Sequence, residues 1–346
     1  MKKVRWGVIG AGGIADRRTI PGMMLSDEAE LVAVMEINEE LAESLRAKYG
    51  AKRAYTDHKA LLADPEVDVV YIASPVNCHK EQAIDAARAK KDILLEKPIC
   101  LDIADAEEVL RVCEEEGVKI GTGFLMRFHA YNAKIREIVQ SGKIGQIVSC
   151  RAQFTCWYPD IPGAWRQVKA LSGGGALMDL GVHCIDLLQY IVGAKAKRVA
   201  ALKSTNTFSY EVEDQASLLM ELENGTFAYV ESNFNVPDAV PSKLEIYGTA
   251  GSIVAYGTLS QVEGGTIEVI AADSTAGYDA QQTRNEVKKL DVEVEFGNMY
   301  TKELDSFGRS HRDGVPVEVP AADAVQAQRV IQAAYKSAET GMFVEL

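Results

Sequence analysis

The sequence predicts two folded parts in tandem: an α/β part on a parallel sheet over residues 1–122, and an α+β part on a large open, mostly antiparallel sheet over residues 123–346. Three observations predict this. Up to about Gly121, short β-branched runs alternate with longer helical ones, the rhythm of βαβ units. Beyond Phe124 the strand-like runs alternate apolar and polar residues, as a sheet with one covered face requires. A chain of 346 residues also exceeds one ordinary hydrophobic core and suits two domains.

In order, the first part offers VRWGVIG from Val4, then LVAVME, VDVVYIAS, DILLE and VKIGTG, each apolar nearly throughout. In the second part, VSCRAQF sets Val148, Cys150, Ala152 and Phe154 on one face and Ser149, Arg151 and Gln153 on the other. The clearest hairpin is QASLLMELENGTFAYVESNF, where Asn224 and Gly225 can both take positive φ and close a tight turn. A second turn falls at Thr249 to Gly251. Helical periodicity covers 102–116, 129–140, 179–192, 299–312 and 322–339, with no internal repeat.

Composition narrows the function classes. With 37 basic against 50 acidic side chains the net charge is −13, which repels phosphate backbones and anionic membranes, so neither nucleic acid nor membrane is expected as a partner. The start, Met1 to Arg5, has no leader-like apolar stretch, and no apolar run reads as long enough to span a bilayer. Six cysteines without a CxxC pair fit reduced thiols, hence a cytoplasmic protein. The five histidines are scattered, with no metal-ligand spacing, and no metal is expected. His58 and His311 read as surface residues, and His79 as structural.

The first strand ends in GVIGAGGIAD, where Gly10, Gly12 and Ala15 fill the three small-residue positions of a dinucleotide-binding turn, with Gly13 and Ile14 between them. Two glycines allow a sharp turn and close approach of backbone N–H groups to a pyrophosphate; the small third residue lets the helix pack close. Glu36 ends the second strand, where a carboxylate accepts hydrogen bonds from ribose hydroxyls and repels a 2′-phosphate. NAD rather than NADP is the expected cofactor, on a Rossmann domain.

Two further segments carry more specific signals: SPVNCHKEQAIDAARAKKDILLEKP, with the triplet Glu96, Lys97 and Pro98, and SGGGALMDLGVHCIDLLQYIVG, with Asp179 and His183 four residues apart. Together with the opening glycines they resemble the Gfo/Idh/MocA oxidoreductases, over essentially the whole chain. The residues themselves agree. Lys97 follows an apolar strand and so sits at a carboxyl end of the parallel sheet, where open α/β folds bind ligands. Pro98 restricts Lys97 to an extended backbone. Residues four apart on a helix share one face, which pairs Asp179 with His183.

Removal of hydride from a carbinol carbon requires the hydroxyl proton to leave as well, and histidine titrates where a base at neutral pH should. His183 is therefore the expected general base, Lys97 the cation that stabilises the developing oxyanion, and Asp179 the group that holds a neighbouring hydroxyl. The resemblance implies further cofactor contacts at Ser74, Pro75, Asn77, Glu96, Arg127 and the pair Trp165 and Arg166. His129 is expected to border the pocket, and Trp157 and Tyr158 offer ring faces to sugar C–H surfaces. It also implies a homodimer or homotetramer formed through the open sheet. The expected activity is NAD-dependent hydride transfer between nicotinamide and a secondary alcohol or ketone of a sugar, glycoside or cyclitol. Two alternatives stand beside it: an NAD-dependent glycosidase that oxidises its sugar transiently and uses the same residues, and a nucleotide-sensing binding protein without catalysis, which would tolerate loss of Lys97 or His183, yet both are present.

Overall fold

The structure is a computed structural model that describes residues 2–272, 280–281 and 287–346. Two compact units form, and neither is a single run of chain. The first comprises Met1–Leu125, Val168–Gly173 and Asn298–Gln328; the second comprises Met126–Gln167, Gly174–Gly297 and Arg329–Leu346. A boundary between residues 122 and 123 separates the two sheets, while two later segments pack with the first unit.

The first unit holds a six-stranded parallel sheet of β1 (Val4–Ile9), β2 (Ala29–Met35), β3 (Arg53–Tyr55), β4 (Val69–Ile72), β5 (Asp92–Leu95) and β6 (Ile120–Thr122). Their spatial order is β3-β2-β1-β4-β5-β6, the doubly wound arrangement of a Rossmann domain. Strand order reverses between β1 and β4, so the loops after these two strands flank the crevice where such sheets bind ligands. The core joins β1, β2 and β4 to the returning helix Met299–Asp313: Trp6, fully buried, meets Phe307 with ring centroids 6.1 Å apart.

The second unit holds a nine-stranded sheet. Its strands are β7 (Ile147–Thr155), β8 (Ala196–Ser204), β9 (Gln215–Leu222), β10 (Phe227–Asn233), β11 (Lys243–Gly248), β12 (Gly251–Tyr256), β13 (Thr266–Ala272), β14 (Val287–Leu290) and β15 (Val344–Glu345). The order is β14-β13-β12-β11-β7-β10-β9-β8-β15, antiparallel except where β10 runs parallel to β7. The expected hairpin joins β9 to β10, but only Gly225 takes positive φ (84°). Asn224 instead accepts the Thr226 N–H at 3.1 Å through its side chain, so a left-handed glycine at the end of the turn absorbs the strand twist. In β7, Cys150 and Ala152 are buried as expected, whereas Val148 is 46% exposed. The reason is a register shift against β11 at Tyr247/Gly248, which turns Ile147 inward and Val148 outward.

The predicted helices appear at Ile103–Glu116, Ala130–Gln140, Met299–Asp313 and Ala321–Thr340. The first three have side-chain caps from Asp102, His129 and Asn298. The stretch expected at 179–192 begins as a wide turn, Leu177–Gly181, that continues into the helix Val182–Val192. Contrary to the expectation that no run could span a bilayer, Lys169–Val192 is long and apolar enough by length and composition; 83% of its apolar window is buried inside the protein. All six cysteines are unbridged; Cys100, Cys113, Cys150 and Cys184 are buried, and Cys78 and Cys156 half-buried.

Candidate active site

In the first unit the glycine turn is shaped by its neighbours. Gly10 has φ 73°, and a Cβ there would stand 2.6 Å from the Ser74 nitrogen, so only glycine lets the turn after β1 press on the loop after β4. Gly10 and Ala11 donate to the Met35 carbonyl at 3.1 and 3.0 Å, tying the turn to the end of β2. Glu36, the next residue, accepts the Gly12 N–H at 3.0 Å with one carboxylate oxygen and the Ile37 N–H at 3.1 Å with the other. A Cβ on Gly13, at φ 57°, would meet no atom within 4 Å. Ala15 is fully buried and opens the wide helical turn Ala15–Thr19, which Ile14 leads into with helical backbone angles. A strained turn with an open face beside a fixed carboxylate fits a pyrophosphate and a ribose.

The loop after β4 carries Ser74, Pro75 and exposed Asn77. The Ser74 hydroxyl donates to Gln82 at 2.5 Å. His79 is buried between two loops, with Nε2 2.9 Å from the Ser74 carbonyl and Nδ1 3.0 Å from the Pro98 carbonyl. Burial pushes its pKa down, toward the neutral ring. His79 thus ties the loop after β4 to the Glu96-Lys97-Pro98 segment after β5, where the Lys97–Pro98 peptide is cis. Glu96 is anchored from beneath: the fully buried Tyr71 hydroxyl donates to it at 2.5 Å and accepts from Thr19 at 3.0 Å. Burial, then the Glu96 charge, pushes the Tyr71 phenol far up. Lys97 is half-buried, and its own N–H reaches Glu96 at 3.2 Å. Glu303, on Met299–Asp313, is fully buried with neither carboxyl oxygen hydrogen-bonded. Burial, then the Glu96 charge, raises its pKa well above the usual carboxyl range. Sequence reading missed Tyr71, which lies inside the apolar run of β4 and reads as core, and Glu303, which sits among the polar residues of its helix and reads as exposed.

In the second unit the structure gathers Tyr158, Trp165, Arg166 and Asp179, with His183 four residues beyond Asp179 on the same helical stretch. Arg166 Nε lies 3.6 Å from Asp179 Oδ1, and its guanidinium stacks 4.4 Å from the Trp165 ring centre. Tyr158 packs on Phe234 with centroids 5.0 Å apart; burial raises its phenol pKa, with the charges of Arg166 and Asp179 acting in opposite directions. His183, 7% exposed, meets the Phe154 ring edge-on at 6.1 Å. Trp157 is 46% exposed and meets Phe208 edge-on at 5.1 Å.

Two expected pocket residues lie in other surroundings. Arg127 is buried and forks onto Asp186 through Nε, at 2.9 Å, and Nη2. His129 is fully buried as the cap of Ala130–Gln140, its Nδ1 accepting the Tyr131 N–H at 3.2 Å. His58 and His311 pair with Asp85 and Asp92. Among the described residues, His58, Glu81 and Asp85 converge closely enough to hold a metal ion, but the Lys59 ammonium already stands 3.4 and 3.5 Å from the two carboxylates.

A glycine turn opening a Rossmann sheet, a fixed acidic residue after β2, and a separate unit with a buried histidine four residues from a carboxylate define a dinucleotide-dependent oxidoreductase. Residues 4–124 match an oxidoreductase family with an NAD-binding Rossmann fold, and residues 132–254 match the GFO/IDH/MocA C-terminal domain. The chain belongs to the Gfo/Idh/MocA oxidoreductase family. It is 27% identical over 343 residues to 1,5-anhydro-D-fructose reductase of Ensifer adhaerens, covering 99% of this chain and 98% of that protein. It is 31% identical over 254 residues to trans-1,2-dihydrobenzene-1,2-diol dehydrogenase of Mus musculus, covering 72% and 73%. Among solved structures, levoglucosan dehydrogenase in complex with NADH and L-sorbose superposes with a TM-score of 0.86 at 25% identity, covering 100% of this chain and 99% of that one.

Proposed function

We propose that the protein is an NAD-dependent dehydrogenase that transfers hydride between nicotinamide and a secondary alcohol or ketone of a sugar, glycoside or cyclitol. The carrying observation is the group of Arg166, Asp179 and Tyr158, with buried His183 four residues beyond Asp179 on the same helical stretch, which offers several hydrogen-bonding groups on the stretch that carries the base, as a polyol requires. The relatives above, named for redox reactions on sugar-like or diol substrates, support this reading rather than glycoside hydrolysis. On this reading residues 1–122 serve the cofactor and 123–346 serve the substrate and self-association.

NAD, when bound, supplies the hydride acceptor. Gly10, Gly12, Gly13 and Ile14 would face its pyrophosphate, Glu36 its adenosine ribose, and Ser74, Pro75, Asn77 and Glu96 its nicotinamide half. As the C–H bond of the carbinol breaks, His183 takes the hydroxyl proton, and the Lys97 ammonium stabilises the negative charge that develops on the oxygen. Asp179 accepts a hydrogen bond from an adjacent hydroxyl and orients the ring.

The test is NADH absorbance across a panel of cyclitols, free sugars and glycosides, with single and double variants. His183→Ala and Lys97→Ala should each lower kcat by roughly two to four orders of magnitude, with the double variant losing far less than their product. NAD affinity should survive His183→Ala. Turnover unchanged in either single variant removes the role given to that residue.

A further inference from the structure

Two consecutive acidic residues ahead of β9, in the segment VEDQ, have no place in the mechanism, yet both are buried: Glu213 is 5% exposed and Asp214 fully buried. Each is spent on backbone N–H groups of a different wall of the candidate site. Glu213 Oε1 accepts three hydrogen bonds, from Gly175 N (2.9 Å), Leu177 N (3.1 Å) and the Tyr335 hydroxyl (2.9 Å), while its carbonyl accepts from Ala176 N at 3.0 Å. These are the first N–H groups of the stretch that carries Asp179 and His183, which a helix cannot satisfy itself. A negative charge there also meets the positive end of the helix.

The glycines ahead of that stretch are explained by the same contacts. A Cβ on Gly174 would overlap the Tyr335 hydroxyl, and one on Gly175 would overlap the Glu213 carbonyl. Asp179 N in turn donates to the Gly175 carbonyl at 3.0 Å, so the latch passes directly to a site residue.

Asp214 does the equivalent for the aromatic wall. Its Oδ2 accepts from Asn206 N (3.1 Å), Thr207 N (2.7 Å) and Phe208 N (3.1 Å). That fixes the loop from which Phe208 meets Trp157 and stacks on Tyr210 at 5.5 Å, the Tyr210 hydroxyl donating to the Tyr158 carbonyl at 3.1 Å.

We infer that Glu213 and Asp214 are positioning residues with separable roles: Glu213 sets the placement of Asp179 and His183, and Asp214 sets the aromatic wall that receives the sugar ring. This rests on the functional reading above, in which His183 is the base and Trp157 and Tyr158 face the substrate. Loss of the first placement lowers kcat; loss of the second raises KM.

Steady-state kinetics of the full chain with NAD and the fastest substrate among myo-inositol, D-glucose, D-xylose and methyl glucosides test this, with His183→Ala alongside. Glu213→Ala should lower kcat roughly a hundredfold, the effect of displacing a catalytic group by about 1 Å, with KM little changed. Glu213→Gln, which keeps a carbonyl acceptor for the N–H groups, should recover most of that loss. Asp214→Ala should instead raise the sugar KM roughly tenfold with kcat nearly intact. Hydrogen exchange, which needs no substrate, should show faster exchange in 175–183 for Glu213→Ala and in 206–208 for Asp214→Ala. Unchanged exchange in those segments, or one shared pattern of kcat and KM loss in both variants, overturns the inference. Full activity in His183→Ala overturns the functional reading instead, leaving the exchange result to judge the latches.

Discussion

Replacing Arg127 separates two accounts of that residue. As a cofactor contact its loss would weaken NAD binding; as half of a buried ion pair its loss should destabilise the fold. The Arg127 and Asp186 side chains are 4% and 3% exposed, and the guanidinium also stacks 4.5 Å from the Tyr190 ring centre. Arg127→Met therefore strands a carboxylate away from water, a change that costs about 3–5 kcal/mol. For a unit of this size each kcal/mol lowers Tm by roughly 2–4 °C, so the variant should melt roughly 6–20 °C below the parent. The double variant Arg127→Met with Asp186→Leu removes both charges at similar volume and should recover most of the loss. Thermal and urea unfolding followed by circular dichroism, with NAD titration by calorimetry on the folded proteins, supply the readings. If Arg127→Met melts with the parent while NAD affinity collapses, the buried-pair argument is wrong.

Glu36→Ala should raise the ratio of kcat/KM for NADP over NAD at least roughly tenfold, because a repulsion between carboxylate and 2′-phosphate is removed; a parent enzyme that uses both cofactors equally contradicts the premise. Glu303 has a raised pKa in the folded state, so its contribution to stability is present below the unfolded value near 4.5 and is lost as pH rises through the folded value. Glu303→Gln should therefore gain on the parent by about 1.4 kcal/mol per pH unit from about pH 5 upward, and parallel stability profiles would contradict the assignment. The exposed face of the nine-stranded sheet carries an open groove of about 690 Å³, with Leu202 76% exposed at its rim, so we expect a dimer or tetramer through this face. Leu202→Glu should shift light scattering toward the 37.7 kDa single chain, and a parent already at that mass refutes the expectation.

The elements were legible because their signals are local. The apolar runs of β1, β2, β4 and β5 and the helical periods at 103–116 and 130–140 depend only on residues near in sequence. The glycine turn announces itself because a positive φ at Gly10 excludes other residues. What stayed hidden depends on distant partners. Nothing near Arg127 in the sequence announces Asp186, 59 positions on, which holds its guanidinium. Val148 reads as buried because a register shift in one strand pair leaves no mark on the alternation of β7. Nothing in the periodicity of 299–312 says that this helix completes the core beneath β1. Glu213 and Asp214 look like a polar pair before a strand, and only the N–H groups they collect give them meaning.

The thiols have a practical consequence. Burial pushes Cys100, Cys113 and Cys150 up to about 12, and Cys184 higher still, so almost none of their thiolate exists near neutral pH. Cys78 and Cys156 are half-buried, and although burial raises the Cys78 thiol too, these two are the more accessible to a dye. One adjoins Asn77 in the first unit and the other adjoins Trp157 in the second. The unaltered chain thus carries its own pair of attachment points, one per unit, so a fluorophore at each reports on its own unit without an introduced cysteine.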